Sequence, residues 1–228
     1  MHINRLSWDS DFFGYEVGSA NDYSHLEADN IALAQSPFTL IYLGLNQKII
    51  DAPSHFFLAD EKLVLSMDIG SANNFEVHPN IQILTESSDR LFSLALQSGI
   101  YSRFKVDPNF KNNEFERLYK QWIVNALQPK PNQYVAGFFD KDSLAGFVSI
   151  AEKEGILHIG LIAVDAATRG KGIGAKLLQL VFAYAQKNGF KQVNVVTQAA
   201  NAQALAFYEK NSFQIISRTY IYHVWKQH

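Results

Sequence analysis

Residues 159–187 hold the pattern that most narrows the fold. An apolar run, Ile159 to Val164, leads into Asp165-Ala166-Ala167-Thr168-Arg169-Gly170-Lys171-Gly172-Ile173-Gly174-Ala175, and an amphipathic segment, Ile173 to Gln186, leads out. That succession predicts a strand, a short loop and a helix. The loop carries glycines at 170, 172 and 174 and two cations, Arg169 and Lys171. Glycine lets a backbone come close to a ligand because no Cβ stands in the way. A helix start adds unpaired N–H groups and the positive end of the helix dipole. Together they predict a cradle for a phosphorylated ligand. It is not a Walker loop, since the Gly-Lys-Ser/Thr ending is missing.

The segments around the loop set the topology. Gln133 to Phe139 and Leu144 to Glu152 read as a hairpin about Asp140-Lys141-Asp142-Ser143, and Glu154-Gly155 turns into a third strand, 156–164. Three successive antiparallel strands before the loop exclude a dinucleotide-binding βαβ unit. Helix 171–187 follows, with Ile173, Leu177, Leu178, Val181, Phe182 and Ala185 on one face and Asn188-Gly189 at its end. Then come a strand, Val193 to Thr197, a short helix, Asn201 to Lys210, and a long last strand, Phe213 to Trp225.

The first half is less regular. Trp8-Asp9-Ser10-Asp11-Phe12-Phe13-Gly14 reads as a loop, its aromatics either plugging a core edge or packing near a ligand. Residues 24–35 are weakly helical, Phe38 to Gly44 is a strand, and Phe56 to Ala59 and Lys62 to Ile69 are two strand-like runs with Asp60 and Glu61 between them. A turn-rich stretch, Asn73-Asn74 to Pro79-Asn80, marks a boundary between a smaller α/β domain, 1–78, and a second domain, 79–228. Ile81 to Thr85 reads as a strand, Ser88 as the cap of a helix to Gln97, and Tyr101 to Phe110 as a loop. Helix 112–127 buries Phe115, Leu118, Tyr119, Trp122, Ile123 and Ala126, and Pro129 and Pro131 stop it.

Composition removes several function classes. The 228 residues are 47% hydrophobic and 18% charged, which suits a folded chain. A formal net charge of −2 gives no general attraction to nucleic acid or acidic membranes, so phosphate binding must be local. Without cysteine there is no disulfide, thiolate metal site or cysteine nucleophile. No close histidine and carboxylate cluster predicts a metal site. No signal-peptide core and no run of about 18 apolar residues is present, so the expected location is the cytoplasm.

Motif and strand order together resemble the GCN5-related N-acetyltransferase (GNAT) family. Its phosphate loop, Arg/Gln-x-x-Gly-x-Gly/Ala, stands here as Arg169-Gly170-Lys171-Gly172-Ile173-Gly174. Its second signature, Asn-x-x-Ala-x-x-x-Tyr then Gly-Phe, stands as Asn201, Ala204, Tyr208 and Phe213, with Ser212 in place of the glycine. The resemblance implies an α/β (α+β) fold whose mixed, mostly antiparallel twisted sheet is flanked by helices. It implies acetyl-CoA as co-substrate. Loop residues 169–175, ending at Ala175, would hold the pyrophosphate, with Arg169 and Lys171 as charge partners. The backbone of Ile162, Ala163 and Val164 would pair with the pantetheine arm where the sheet splits, and Asn201 and Ala204 would flank it. Tyr208 would sit near the thioester sulfur and protonate the leaving thiolate; the other reading of Tyr208 is a half-buried aromatic packed on the sheet.

Patches over most of the chain, the N-terminal ones most specifically, are similar to the dTDP-fucosamine acetyltransferase group. The similarity lies in Leu6 to Gly14, Ser102-Arg103-Phe104, Tyr119 to Ile123, Ile159 to Ile162, and Thr197-Gln198. The similarity implies a nucleotide-linked 4-amino-dideoxy sugar as acceptor, with Ser102, Arg103, Phe104 and Gln198 contacting it and Asp60 nearby. A cation suits its phosphates and an aromatic surface its base; Arg103 as a solvated charge and Trp122 as core are the alternatives. Asp60 and Glu61 are either a solvated turn or carboxylates that hold an ammonium or steer water. His158 is a candidate base or a structural histidine. The segment between Phe13 and Phe56 shows no match to that group. A protein N-terminus, a polyamine or another small amine as acceptor stays open, as does a non-catalytic acyl-CoA sensor. The resemblance also implies a homodimer, with Tyr220, Tyr222 and Trp225 as the aromatics of an interface.

Overall fold

The computed structural model describes residues 1–70 and 75–226. Asn73 and Asn74, where the boundary stretch begins, lie outside them. Among the described residues ten strands form one sheet: β1 (Asn4–Arg5), β2 (Val17–Ala20), β3 (Leu40–Leu45), β4 (Phe56–Asp68), β5 (Ile81–Leu84), β6 (Gln133–Asp140), β7 (Ser143–Lys153), β8 (Ile156–Val164), β9 (Gln192–Gln198) and β10 (Gln214–Trp225). Their order is β1-β2-β3-β10-β4-β9-β8-β7-β6-β5. Only β2–β3 and β8–β9 pair in parallel, so the expected mixed, mostly antiparallel sheet is present. It runs unbroken across residue 78, because β4 lies between β9 and β10.

The helices are α1 (Ser7–Phe13), α2 (Leu26–Gln35), α3 (Asp89–Ser98), α4 (Arg103–Val106), α5 (Glu114–Ala126), α6 (Ile173–Lys187) and α7 (Ala202–Lys210). α6 puts Ile173, Leu177, Val181 and Ala185 against Ala136, Val148 and Ile150 on one sheet face. α3 and α5 cover the opposite face with Leu91, Leu94 and Ile123 over Val135 and Phe147. With both faces covered, β7 is buried continuously from Leu144 to Ile150 instead of alternating. Ser88 caps α3 by accepting the Leu91 amide at 3.2 Å.

Three local expectations change. Residues 7–13 are a helix, not a loop: Phe13 enters the core beside Phe104 and Phe110, while Gly14 closes the helix at φ 80°. Residues 103–106 form the short helix α4, capped by the Ser102 hydroxyl, within the stretch expected as loop. Asp60 and Glu61 are no turn; they lie inside the single strand β4. There the register with β10 slips, Ile221 facing Asp60 and Tyr222 facing Leu58, so Ala59 is an extra, bulged residue. The bulge breaks the alternation that would have marked one long strand.

β10 is an internal strand, bonded to β3 and β4. Tyr222 is buried, and its hydroxyl accepts the Ile49 amide at 2.9 Å. Trp225 donates to Asp107 at 2.8 Å. These aromatics therefore face the chain's own interior. Among the described residues no helix is long and apolar enough to cross a membrane.

Candidate active site

The sheet opens where the glycine loop begins. β8 pairs with β9 only from Leu157 to Ile159. The next two residues bulge: Ile159 faces Ile150 and Ile162 faces Val148, leaving Gly160 and Leu161 opposite Ser149. Ser149 Oγ accepts the Leu161 amide at 2.8 Å and so fixes the bulge. Beyond it, β8 from Gly160 to Val164 has no partner on its β9 side.

A cavity of about 1050 Å³ fills the opening. One end is walled by Ile162, Ala163, Val164, Arg169, Gly170, Gly172, Ile173, Gly174 and Ala175, and by Asn201, Ala204 and Tyr208 of the α7 segment. Gly170 and Gly172 have φ of 80° and 74°, and a Cβ on either would meet nothing within 4 Å. The loop is thus an open cradle in a backbone conformation that favours glycine. Its approach is anchored at Asp165, whose carboxylate accepts the Ala167 amide at 2.7 Å and pairs with Arg90 of α3. Arg169 bonds Val164 O at 3.3 Å and Gln203 at 3.4 Å. Lys171 is not on the cavity wall; its ammonium reaches Asp140 on the β6–β7 hairpin at 3.3 Å.

α7 is fixed at both ends by the residues of the second signature. Asn201 Oδ1 accepts the Ala204 amide at 3.1 Å as N-cap. At the other end Ser212 takes φ 67°, its amide bonds Glu209 O at 3.0 Å, and the Phe213 amide bonds Tyr208 O at 3.1 Å. That is a Schellman motif, in which the residue after the left-handed position packs on the helix's last turn. Here that contact is Phe213 on Tyr208. The Tyr208 side chain is buried, and burial holds its phenol above the ordinary range. It is therefore protonated at neutral pH. Tyr208 packs on the sheet, as one of its two sequence readings has it, and it also lines the cavity.

Residues remote from the loop in sequence, most of them from the first half of the chain, line the same cavity. Ser102, Arg103 and Phe104 of the α4 segment, Gln198, Asp60, Trp122, and Trp8 and Asp9 of α1 line it. Asp60 is 8% exposed, and its Oδ1 is a buried acceptor without a hydrogen-bond partner. Burial pushes its carboxyl up to about 6, against the pull of Arg103 and Lys62. Glu61, next along the strand, instead pairs with Arg218. The Arg103 guanidinium lies 3.8 Å from the Tyr42 ring centre and 4.4 Å from that of Phe104, so it is no solvated loop charge. Trp122 packs on Tyr119, with centroids 4.7 Å apart, and lines the cavity as well. His158 is outside the cavity lining.

Sequence reasoning missed Asp9 and Lys62 on this wall, and a buried pair behind it, Asp107 and His223. His223 Nδ1 and Asp107 Oδ2 are 2.6 Å apart, and His223 Nε2 lies 3.0 Å from the Arg103 guanidinium. The mixed composition around Asp107 carries no local signal for such a contact. It joins residues 116 positions apart.

Comparison with known proteins agrees with this arrangement. Residues 98–213 match the acetyltransferase (GNAT) family. The chain is 27% identical to a dTDP-fucosamine acetyltransferase of Escherichia coli O6:H1, over 96% of each chain. It is 22% identical to a spore coat polysaccharide biosynthesis protein of Bacillus subtilis, over 60% of this chain and 47% of that one. Among solved structures, the PaiA N-acetyltransferase of Thermoplasma acidophilum in complex with coenzyme A superposes with a TM-score of 0.50 at 19% identity. That match covers 65% of this chain and 99% of that chain. With the glycine cradle at the sheet's opening and the family match over half its length, the chain belongs to the acetyltransferase (GNAT) family and is an acetyl-CoA-dependent N-acetyltransferase of that type.

Proposed function

We propose that the acceptor is the amino group of a dTDP-linked 4-amino-dideoxy sugar and that it attacks acetyl-CoA directly. The observation that carries this reading is one shared cavity, lined by the glycine cradle and Tyr208 and also by Asp60, Arg103 and Trp122. The glycine loop cradles the pyrophosphate of acetyl-CoA, and the unpaired length of β8 receives its pantetheine arm as an added strand would. An amine then meets the thioester between Asp60 and Tyr208. The likeness to a dTDP-fucosamine acetyltransferase along nearly the whole chain supports the sugar. Likeness to a polysaccharide biosynthesis protein supports a role in surface polysaccharide formation.

In this mechanism the amine nitrogen bonds to the acetyl carbon and the carbon–sulfur bond breaks. The CoA thiolate takes the Tyr208 proton, and the nitrogen's proton passes to Asp60, directly or through water. Burial disfavours phenolate and thiolate alike, so a buried tyrosine is not mismatched to its partner. Arg103, with no ion pair to a described residue, offers its free N–H groups to the acceptor's phosphates, and Trp122 offers a ring face to its base.

The test is thiol release from acetyl-CoA with dTDP- and UDP-amino sugars, amino-terminal peptides and spermidine. Release with a dTDP-4-amino sugar is expected. Release with peptides or polyamines only would overturn the sugar. Tight CoA binding with no release to any amine would make the chain a sensor.

A further inference from the structure

Behind the acceptor end of the cavity lies a chain of three polar contacts with a fixed direction. A guanidinium has only donors, so the 3.0 Å contact makes His223 Nε2 the acceptor and Arg103 the donor. The imidazole proton then resides on Nδ1 and is donated to Asp107 Oδ2 at 2.6 Å. Trp225 Nε1, also a donor only, bonds the same oxygen at 2.8 Å. Asp107 Oδ1 takes the backbone and side-chain N–H groups of Asn109, both at 2.9 Å. The carboxylate accepts four hydrogen bonds, and each acts to hold it charged and unable to rotate. His223 is fully buried, and the rings of Tyr42 and Phe110 lie 5.1 and 5.7 Å from it, centre to centre.

We propose that Asp107 and His223 are positioning residues of the acceptor site, which hold the Arg103 guanidinium in one orientation over the cavity. The proposal rests on the reading of that cavity end as the acceptor site. Asp107 fixes the histidine tautomer, the histidine accepts one guanidinium N–H, and the Tyr42 and Phe104 rings both lie against the guanidinium, 3.8 and 4.4 Å from it to their centres. The remaining N–H groups of Arg103 point to an anionic group on the acceptor. A neutral imidazole does this without cancelling the arginine's charge, which a carboxylate in its place would do. Asp9 and Asp60 are the nearest acidic influences on Arg103, and neither forms an ion pair with it. The charge is thus left for the substrate.

The test varies the acceptor at saturating acetyl-CoA, using the dTDP-amino sugar or, if none turns over, whichever amine releases thiol. His223→Phe is expected to raise the acceptor KM about tenfold or more, the loss of one hydrogen bond to a charged group. The acetyl-CoA KM and kcat should stay within about twofold. His223→Gln, whose amide oxygen can still accept from Arg103, should recover most of the loss. In an Arg103→Gln background, His223→Phe should cost nothing more. If both KM values rise together, or kcat falls with neither, the positioning role is overturned. Independently of any acceptor, ¹⁵N spectra of imidazole-labelled protein should show His223 as the Nδ1–H tautomer at pH 7, and the Nε2–H tautomer would overturn the relay even where a variant fails to fold. Turnover of an uncharged amine and of no nucleotide sugar would instead overturn the acceptor reading, a result separate from the tautomer.

Discussion

The Tyr208 ring packs against Phe213 with centroids 5.4 Å apart and planes at 64°. Removing the hydroxyl should leave this contact and the fold intact, because Tyr208 makes no side-chain hydrogen bond to a described residue. Tyr208→Phe is therefore expected to keep CoA affinity and thermal midpoint while turnover falls by roughly 10²–10⁴. Calorimetric CoA titration with a thiol-release assay checks both halves. Turnover like the parent's would remove the tyrosine from the mechanism.

Ser212 holds the left-handed position of the same Schellman motif, at φ 67°. A Cβ there is disfavoured by about 1–2 kcal/mol, partly offset by glycine's greater freedom in the unfolded chain. Ser212→Gly should stabilise the protein by about 1 kcal/mol, read as a higher midpoint in urea with an unchanged slope. A lower midpoint would mean that the serine makes a compensating contact.

The second signature was legible in the sequence because it is a local object. Asn201 caps α7, Tyr208 sits on its last turn, Ser212 reverses the chain and Phe213 packs back. All of this lies within 13 residues, counting 201 to 213. The glycine loop was legible for the same reason. The part of the cavity around Asp60 and Arg103 was only partly so. Asp60 follows a bulge that spoils the strand's alternation, so its place in a strand was not legible and a turn stayed open beside a site role. α1 mixes Trp8, Asp9 and Phe13, which serve a cavity and a core from one short helix. Asp107 and His223 meet only through the tertiary fold, and no spacing announces them.

Asp60 links pH to both rate and stability. Burial raises its carboxyl to about 6, so as a proton acceptor it should impose an acidic limb near that pH on kcat/KM. Asp60→Asn should lower activity and remove the limb.

The same shift carries a stability consequence of opposite sense. The native carboxyl keeps its proton up to about 6, whereas the unfolded chain releases it near 4. The native state binds more protons between those values, so this group's stabilising contribution is full below about 4, lost as pH rises to about 6, and flat above. Asp60→Asn should therefore be more stable than the parent at pH 8, by something on the order of 1–3 kcal/mol, and gain little at pH 4. Urea unfolding at both values measures it; an equal difference at each would mean that Asp60 is not the titrating group.

Gly172 begins α6 at φ 74°. Gly172→Ala places a Cβ in that left-handed position, costing about 1–2 kcal/mol and crowding the open cradle. The acetyl-CoA KM should rise by about tenfold and the acceptor KM should change little. Initial rates with each substrate varied in turn decide it; a rise confined to the acceptor KM would place the loop elsewhere in the chemistry.

The place of β10 between β3 and β4 has a consequence for how the protein folds. Leu45 pairs with Tyr220 and Glu61 with the same residue from the other side. The two strands thus share a partner 175 and 159 positions further along the chain. Such distant pairings close slowly. By contrast, β6, β7 and β8 pair as successive hairpin neighbours. The wall bearing Asp60 is thus completed by a pairing distant along the chain, a slower closure than the hairpins of β6, β7 and β8.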